Sequence, residues 1–331
     1  MLTKLNRICF LAVLCTTAQA AFAVDVERDE VQQFINAMVE KHDYDRDSLT
    51  MVLQSAETQE AILTAISRPA EKTMTWHEYR NIFLTDERIR AGANFWQEHK
   101  EDLHRISRET GVSCEILVGI IGVETYFGRI KGKYRVLDAL ATLAFDYPPR
   151  SKFFMRELEE FLLLVREEGM DATEATGSYA GAMGAPQFMP SSFRAYAVDS
   201  SADGKRDIWS NWQDVIGSVA NYFVAHGWER EHPVVAEATF GSQWQGEPPE
   251  NTLSPSETVD SLSKQGVMFA ATLPGDHTSQ LITLAGEDGD EHWVGFHNFF
   301  VITRYNRSVM YALAVHQLGQ EIALEVGRND S

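Results

Sequence analysis

The stretch Ser113-Cys114-Glu115-Ile116-Leu117-Val118-Gly119-Ile120-Ile121-Gly122-Val123-Glu124-Thr125-Tyr126-Phe127-Gly128 decides how the rest of the chain is read. Leu117, Ile120, Ile121 and Glu124 fall at i, i+3, i+4 and i+7, which is one face of an α-helix. Three of these positions are apolar, and the fourth places an acid at the end of the same stripe. Desolvation penalises the charged form of a carboxyl group and keeps it protonated toward neutral pH, the state a general acid requires. The structural alternative is a helix-end Glu paired with a nearby Arg or bonding backbone amides.

The remainder of the 331-residue chain is long enough for about two domains with a sizeable core. Met1 to Ala23 reads as a secretory signal: Lys4 and Arg7, then the apolar run Ile8 to Cys15, then Ala21-Phe22-Ala23 as an A-x-A cleavage site. That run is too short to span a bilayer, and no other long apolar run follows. Lipid attachment at Cys15 competes with this reading. Leu14 stands where a bacterial lipoprotein signal wants a small residue, so a soluble exported protein is favoured.

Cleavage after Ala23 leaves 27 Lys+Arg against 48 Asp+Glu, a formal charge of −21. Such a balance argues against nucleic acid as the partner, because that binding rests on neutralising phosphates with Lys and Arg. It also argues against electrostatic attraction to an anionic surface, so a bound polymer must be held by local groove contacts. Cys9 and Cys15 leave with the signal; Cys114 then remains alone, without an intramolecular disulfide. At the start of a core helix it reads as a small hydrophobe rather than a nucleophile.

Residues 24–75 read as an N-terminal helical segment, with a stripe at Val31, Phe34, Ile35, Met38 and Val39 and a second short helix capped at Asp47-Ser48 and running through Gln54. Pro69 breaks the pattern. Trp76 to Arg80 reads as an aromatic cluster in a connecting stretch, either a loop anchor or a groove wall. Thr85 to Thr110 reads as one long amphipathic helix stopped by Gly111. Helices from Leu137 to Tyr147 and from Phe153 to Gly169 follow.

Gly177 to Pro190 is dense in small residues, which prevent a regular helix and allow close backbone approach. A helix resumes from Asp214 to His226. Residues 231–297 lose the helical period and read as a small mixed insert with a hairpin, Leu281 to Ala285 and His292 to Phe296 around Gly286 to Asp290. Phe299 to Thr303 is a candidate further strand, and Val309 to Val326 a closing helix.

Four segments, GIIGVETYFGRIKGKYRVLDALATLAFDYP, GSYAGAMGAPQFMPSSF, IGSVANYFVAHGW and FVITRYNRSVMYALAVHQLGQ, occur in order and together resemble the membrane-bound lytic murein transglycosylase B family. The likeness runs from about Trp76 to the C-terminus. It implies a mainly α, lysozyme-like fold similar to goose-type lysozyme, with the helical core in residues 76–230 and 298–331. It further implies cleavage of the β-1,4 bond between N-acetylmuramic acid and N-acetylglucosamine in peptidoglycan, leaving a 1,6-anhydromuramyl end, without a catalytic cofactor.

That reaction accounts for the scarcity of acids. An ordinary glycosidase flanks the bond with two carboxylates. Here Asp138 and Asp146 are the nearest others, and each reads as a cap or surface residue. In the implied reaction Glu124 serves first as acid and then as base, and the nucleophile is the substrate's own O6 hydroxyl. The resemblance also implies that Ser178 and Gln187 bond near Glu124, and that Tyr222, Tyr305 and Tyr79 line the groove, where an amphipathic ring suits a sugar face. Ala185-Pro186 departs from the family pattern of an aromatic residue and a Gly, which puts the sugar contacts of that position in doubt.

Residues 199–214 begin like an EF-hand loop, with oxygens at Asp199, Ser201 and Asp203, Gly204 at the sixth position and the Lys205 carbonyl at the seventh. Asp207 is a candidate water-mediated ligand. The twelfth position is Ser210, so the bidentate Glu is missing, and the family pattern closes the loop with Asp214 instead. One structural Ca2+ of modest affinity is expected. A periplasmic location, peptidoglycan strands as the ligand, and cell-wall synthases or amidases as partners complete the expectations. A hydrolytic muramidase and a wall-binding scaffold with a dead groove are the rival readings.

Overall fold

The structure, a computed structural model, describes residues 21–67 and 74–329. The expected break at Pro69 and most of the expected signal segment lie outside these residues. Strand β1 (Ala21–Ala23) pairs antiparallel with β2 (Glu57–Gln59), so the A-x-A motif occupies a sheet edge here. Between them come α1 (Asp29–His42) and α2 (Arg46–Gln54), and α3 (Glu60–Ile66) follows β2. The cap of α2 is Asp45, whose carboxylate accepts from the Ser48 amide, two residues before the expected cap.

Trp76–Phe83 is a helix, α4, and not a connecting stretch. Thr75 and Glu78 form a reciprocal capping box that satisfies its first amides, a device worth about 1 kcal/mol. The single helix expected over Thr85 to Thr110 is two, α5 (Asp86–Glu98) and α6 (Lys100–Thr110). His99, at φ −112° and ψ 22°, bends the chain between them, and its ring packs 4.5 Å from Phe95 and 5.5 Å from Trp212. Both halves keep the apolar period, so the periodicity conceals the break.

Helix α7 (Cys114–Thr125) runs through the centre of the molecule. Leu117, Ile120 and Ile121 are fully buried, each contributing roughly 1.5–3 kcal/mol through area removed from water. After α7 come β3 (Tyr134–Arg135), α8 (Val136–Asp146), α9 (Ser151–Glu168), β4 (Thr176–Gly177), α10 (Pro190–Tyr196) and α11 (Trp212–Ala225). Gly111 and Gly169 end α6 and α9 in the left-handed conformation, as their sequence positions indicate.

The sheet is larger than the expected hairpin. It has five antiparallel strands in the order β6-β8-β9-β5-β7, namely β5 (Val235–Phe240), β6 (Glu257–Thr258), β7 (Val267–Phe269), β8 (Thr278–Ala285) and β9 (Asp290–Phe296), with α12 (Val259–Gln265) before β7. The β8–β9 hairpin pairs Leu281 with Val294 and Ala285 with Asp290. A small core of Ala238, Leu262, Val267, Leu281, Val294 and Phe296 fills one face. The expected strand Phe299 to Thr303 is instead inside α13 (His297–Tyr305). Its residues are buried all round, and a short apolar run carries no period that separates helix from strand. Helix α14 (Val309–Asn329) closes the chain.

Helices α7 and α14 cross at backbone contact. A Cβ on Gly119 would stand 2.4 Å from the Val315 carbonyl oxygen, and one on Gly319 would stand 2.2 Å from that of Glu115. These two glycines are therefore required by approach, despite their cost in a helix interior. The pairing of 119 with 315 and of 115 with 319 makes the crossing antiparallel, and continued along both helices it brings position 124 opposite position 311.

Candidate active site

Glu124 occupies the last turn of α7 and is half-buried, at the mouth of the buried stripe and not free on the surface. The Tyr311 hydroxyl donates to its Oε1 at 2.5 Å. Tyr311 is itself buried, and burial together with the neighbouring Glu124 charge pushes its hydroxyl well above the ordinary tyrosine range. It stays protonated and is a permanent donor to the carboxyl group. Tyr305 responds to the same field, raised by burial first and then by the Glu124 charge.

The chain turns sharply just past the acid. Tyr126, Phe127 and Gly128 all have positive φ, at 51°, 56° and 79°. Non-glycine residues held this way cost about 1–3 kcal/mol each and gather at functional sites. The Thr125 hydroxyl accepts from the Gly128 amide at 3.1 Å and donates to the Ala185 carbonyl at 2.9 Å. That second bond ties the small-residue loop to the end of α7. Arg88 lies alongside, donating to the Gly122 carbonyl at 3.2 Å with its guanidinium 4.7 Å from the centre of the Tyr126 ring.

Ser178 and Gln187 both lie on that loop. The Ser178 hydroxyl accepts from the Ala180 and Ala182 amides and so shapes the turn. Gln187 sits at φ 53°, and its side-chain amide donates to the Lys131 and Gly184 carbonyls at 3.2 and 2.9 Å. The loop also pairs with the segment leaving α7: Tyr134 is opposite Gly177, and a Cβ on Gly132 would stand 2.1 Å from the Gly177 oxygen. At the departing Ala185-Pro186 pair, the backbone is used where the side chains differ, since the Pro186 carbonyl accepts from the Tyr305 hydroxyl at 2.6 Å.

The tyrosines form a packed wall. Tyr305 and Tyr222 have ring centres 4.7 Å apart, and Phe188 lies within 6 Å of each. Tyr222 is buried, its hydroxyl donating to the Arg304 carbonyl at 2.7 Å. Tyr79 is buried between Trp76 and Phe83, so it lies behind the wall and does not line an open groove as expected. Trp76, also buried, donates to Glu291 at 3.0 Å and so pins α4 to the sheet, the anchoring role among its two readings.

Neither alternative acid is a cap or surface residue of the kind expected. Asp138 is buried and accepts from Arg135 at 2.8 Å and from the Glu57 amide at 3.0 Å. Asp146 accepts from Arg28 at 2.7 Å and from Thr58 at 3.0 Å. Both acids brace α8 against the N-terminal segment. Cys114 is buried, and that burial pushes its thiol up to about 11, which leaves it without a thiolate near neutral pH.

In the acidic loop, Asp199, Asp203 and Asp214 bring carboxylate oxygens within 4.8 Å of one another. Asp214 is fully buried and accepts from the Ser200, Ser201 and Asp207 amides at 2.8–3.0 Å. Burial opposes ionisation of Asp199, but amide bonds from Gly204 and Asp203 prevail and hold it below the usual carboxylate range. Three converging carboxyl groups fit a hard divalent cation. Asp207 turns away and caps the Trp209 and Ser210 amides, so its expected ligand role is not the one its side chain takes here.

Tyr311 was not singled out by its residue pattern. Its position inside a helix marks it as core, and only the glycine-mediated crossing brings it to Glu124.

A half-buried acid at the end of a buried helix, backed by tyrosines and a small-residue loop on a helical core, defines a glycan-cleaving enzyme of the lysozyme-like class. Residues 26–320 match the family described as the transglycosylase SLT domain. The chain is 43% identical over 302 residues to membrane-bound lytic murein transglycosylase B of Escherichia coli (strain K12), covering 88% of this chain and 82% of that protein. Its fold matches the lytic transglycosylase SltB1 of Pseudomonas aeruginosa with a TM-score of 0.86 at 49% identity, over 90% of this chain and 98% of that one. It also matches the Escherichia coli lytic transglycosylase Slt35 in complex with calcium, with a TM-score of 0.83 at 41% identity, over 92% and 96% of the two chains. The chain belongs to this lytic transglycosylase family and is a peptidoglycan-cleaving enzyme. No helix among the described residues is long and apolar enough to cross a membrane.

Proposed function

We propose that the enzyme cleaves the β-1,4 bond between N-acetylmuramic acid and N-acetylglucosamine and releases a 1,6-anhydromuramyl end, with Glu124 as the one acid–base group. The hydrogen bond from the buried Tyr311 to the half-buried Glu124 carries this reading, because it fixes one oxygen and leaves the carboxyl poised between water and core. Protonated Glu124 gives its proton to the departing glycosidic oxygen while the substrate's acetamido group supports the cationic C1. Glu124, now a carboxylate, takes the proton of the muramyl O6 hydroxyl as that oxygen attacks C1. The charge balance closes within one side chain, and the engagement of Asp138 and Asp146 with arginines supports a single-acid scheme.

Ser178 and Gln187 are assigned to the sugar beside the cut, with Gln187 anchored by its amide N–H groups so that its carbonyl oxygen accepts from a hydroxyl. Tyr305 and Tyr222 form the groove wall, and Tyr79 supports it from beneath. Asp199, Asp203 and Asp214, with the Ser201 hydroxyl and the Lys205 carbonyl, are assigned to one Ca2+ that would neutralise the loop before α11. Residues 76–230 and 298–331 are read as the catalytic core, 24–75 as an N-terminal segment and 231–297 as the insert. Export to the periplasm through residues 1–23, and association with cell-wall synthases or amidases, belong to the same reading. A hydrolytic muramidase would use water in place of O6. Mass spectrometry of fragments released from purified sacculi separates the two: the anhydro end is one water lighter than a reducing end, and a reducing end as the main product overturns the proposal.

A further inference from the structure

Away from the catalytic face, three side chains converge where the helical core meets the sheet. Glu229 and His232 lie on the turn after α11, and His277 lies immediately before β8. A single oxygen, Glu229 Oε2, stands 2.6 Å from His232 Nδ1 and 2.9 Å from His277 Nε2. The three atoms lie within 4.8 Å of one another, and the two imidazole rings are 5.2 Å apart at 69°.

The backbone that presents them is held from below. Asn298, fully buried at the start of α13, accepts from the Glu229 amide at 2.9 Å and donates to the carbonyls of Glu229 and His232 at 2.8 and 3.1 Å. On the sheet side, the His277 amide donates to the Pro274 carbonyl at 3.1 Å. The Nδ1 atom of His277 is 3.1 Å from the Thr278 carbonyl oxygen.

That last contact fixes the ring. A carbonyl oxygen only accepts, so His277 Nδ1 carries a hydrogen and Nε2 is the atom turned toward Glu229. In the charged ring Nε2–H donates to the carboxylate oxygen 2.9 Å away, and in the neutral ring the same atom offers its lone pair to a metal ion shared with that oxygen. An N–H to backbone carbonyl bond on the far side of the ring is also what orients a metal-bound histidine. Two imidazole nitrogens and one carboxylate oxygen form a donor set for Zn2+, with three protein ligands and one open position. The side chains of Glu229 and His232 are 39% and 38% exposed and that of His277 is 12% exposed, so water can reach the open position.

We propose that Glu229, His232 and His277 form a Zn2+ site that clips the β-sheet to the helical core. Ligands about 2.1 Å from a tetrahedral ion stand roughly 3.4 Å apart, so the Glu229 carboxyl withdraws from the two imidazoles by about 0.5–0.8 Å on binding. A half-exposed side chain makes that shift by a small rotation.

The test uses the full, tag-free chain, stripped of metal and held in excess calcium so that the acidic loop does not compete. Titration with zinc chloride should show one equivalent bound and a raised melting temperature. Cobalt(II) in its place should give the visible absorption bands of a tetrahedral site. His277→Gln and Glu229→Gln should each weaken zinc binding at least tenfold and abolish the cobalt bands, whereas Asp203→Ala should leave both unchanged. If one variant fails to fold, the other carries the comparison. Absence of stoichiometric zinc uptake by the parent, or uptake unaltered in both variants, overturns the site; in that case the convergence holds only a proton.

Discussion

Gly119→Ala tests the geometry on which the active site depends. The added methyl would stand 2.4 Å from the Val315 carbonyl oxygen, and ordinary contact begins near 3.4 Å, so α7 and α14 must part by about 1 Å. The neighbour is backbone and cannot rotate away. Overpacking of this kind costs about 1–3 kcal/mol, which for a chain of this size lowers the melting temperature by roughly 2–10 °C. The chemical consequence is larger. Glu124 lies five residues along α7, about 7.5 Å from Gly119, and the Tyr311 bond it accepts is 2.5 Å long. Opened by about 1 Å, that bond reaches the limit of hydrogen bonding, and misplacement of this size costs about a hundredfold in rate. Release of soluble fragments from purified sacculi measures the rate, and a thermal melt followed by circular dichroism measures the stability. Gly327→Ala on the same α14 is the control, since a Cβ there meets nothing within 4 Å: it should leave the rate unchanged and the melting temperature unchanged or slightly raised. Parental rate and melting temperature in Gly119→Ala would refute the claim that this crossing sets the site.

Two further outcomes are expected. Tyr311→Phe removes the donor that favours ionised Glu124; the rate should fall by about tenfold or more, and the basic limb of the pH–rate profile should move to higher pH, because loss of a hydrogen bond to the carboxylate raises its pKa. An unchanged rate and profile would show that the hydroxyl only packs. Calcium should raise the melting temperature, and Asp203→Ala should cancel that rise; a melt indifferent to calcium and chelator alike would remove the ion from the Asp199–Asp214 loop.

The helical core and its acid were legible because both are local. The Leu117–Glu124 stripe, the glycine caps at 111 and 169 and the β8–β9 hairpin depend on residues a few positions apart, and the structure reproduces each of them. What failed depended on signals shared by two structures. His99 breaks a helix whose apolar stripe continues on both sides, and Phe299 to Thr303 is apolar throughout and so lacks a period. The strands β5, β6 and β7 are short and lie far from their partners in sequence, so alternation alone did not reveal the sheet. In the candidate site, Glu124 stands out by its place on a stripe, but Tyr311 is opposite it only because Gly119 and Gly319 let two helices touch. The burial of Asp138 and Tyr79 was likewise set by tertiary contacts: β2 covers the first, while Trp76 and Phe83 flank the second.

The most direct measurement is made on Glu124→Gln, which keeps the shape of the side chain and the Tyr311 contact but removes the exchangeable proton. Purified sacculi are incubated with parent and variant, and the released fragments are weighed by mass spectrometry. The parent should yield fragments ending in anhydromuramic acid, and the folded variant should yield none while still sedimenting with the sacculi. Anhydro fragments from the variant at a rate within about tenfold of the parent would contradict the assignment of one side chain as both donor and acceptor of the proton.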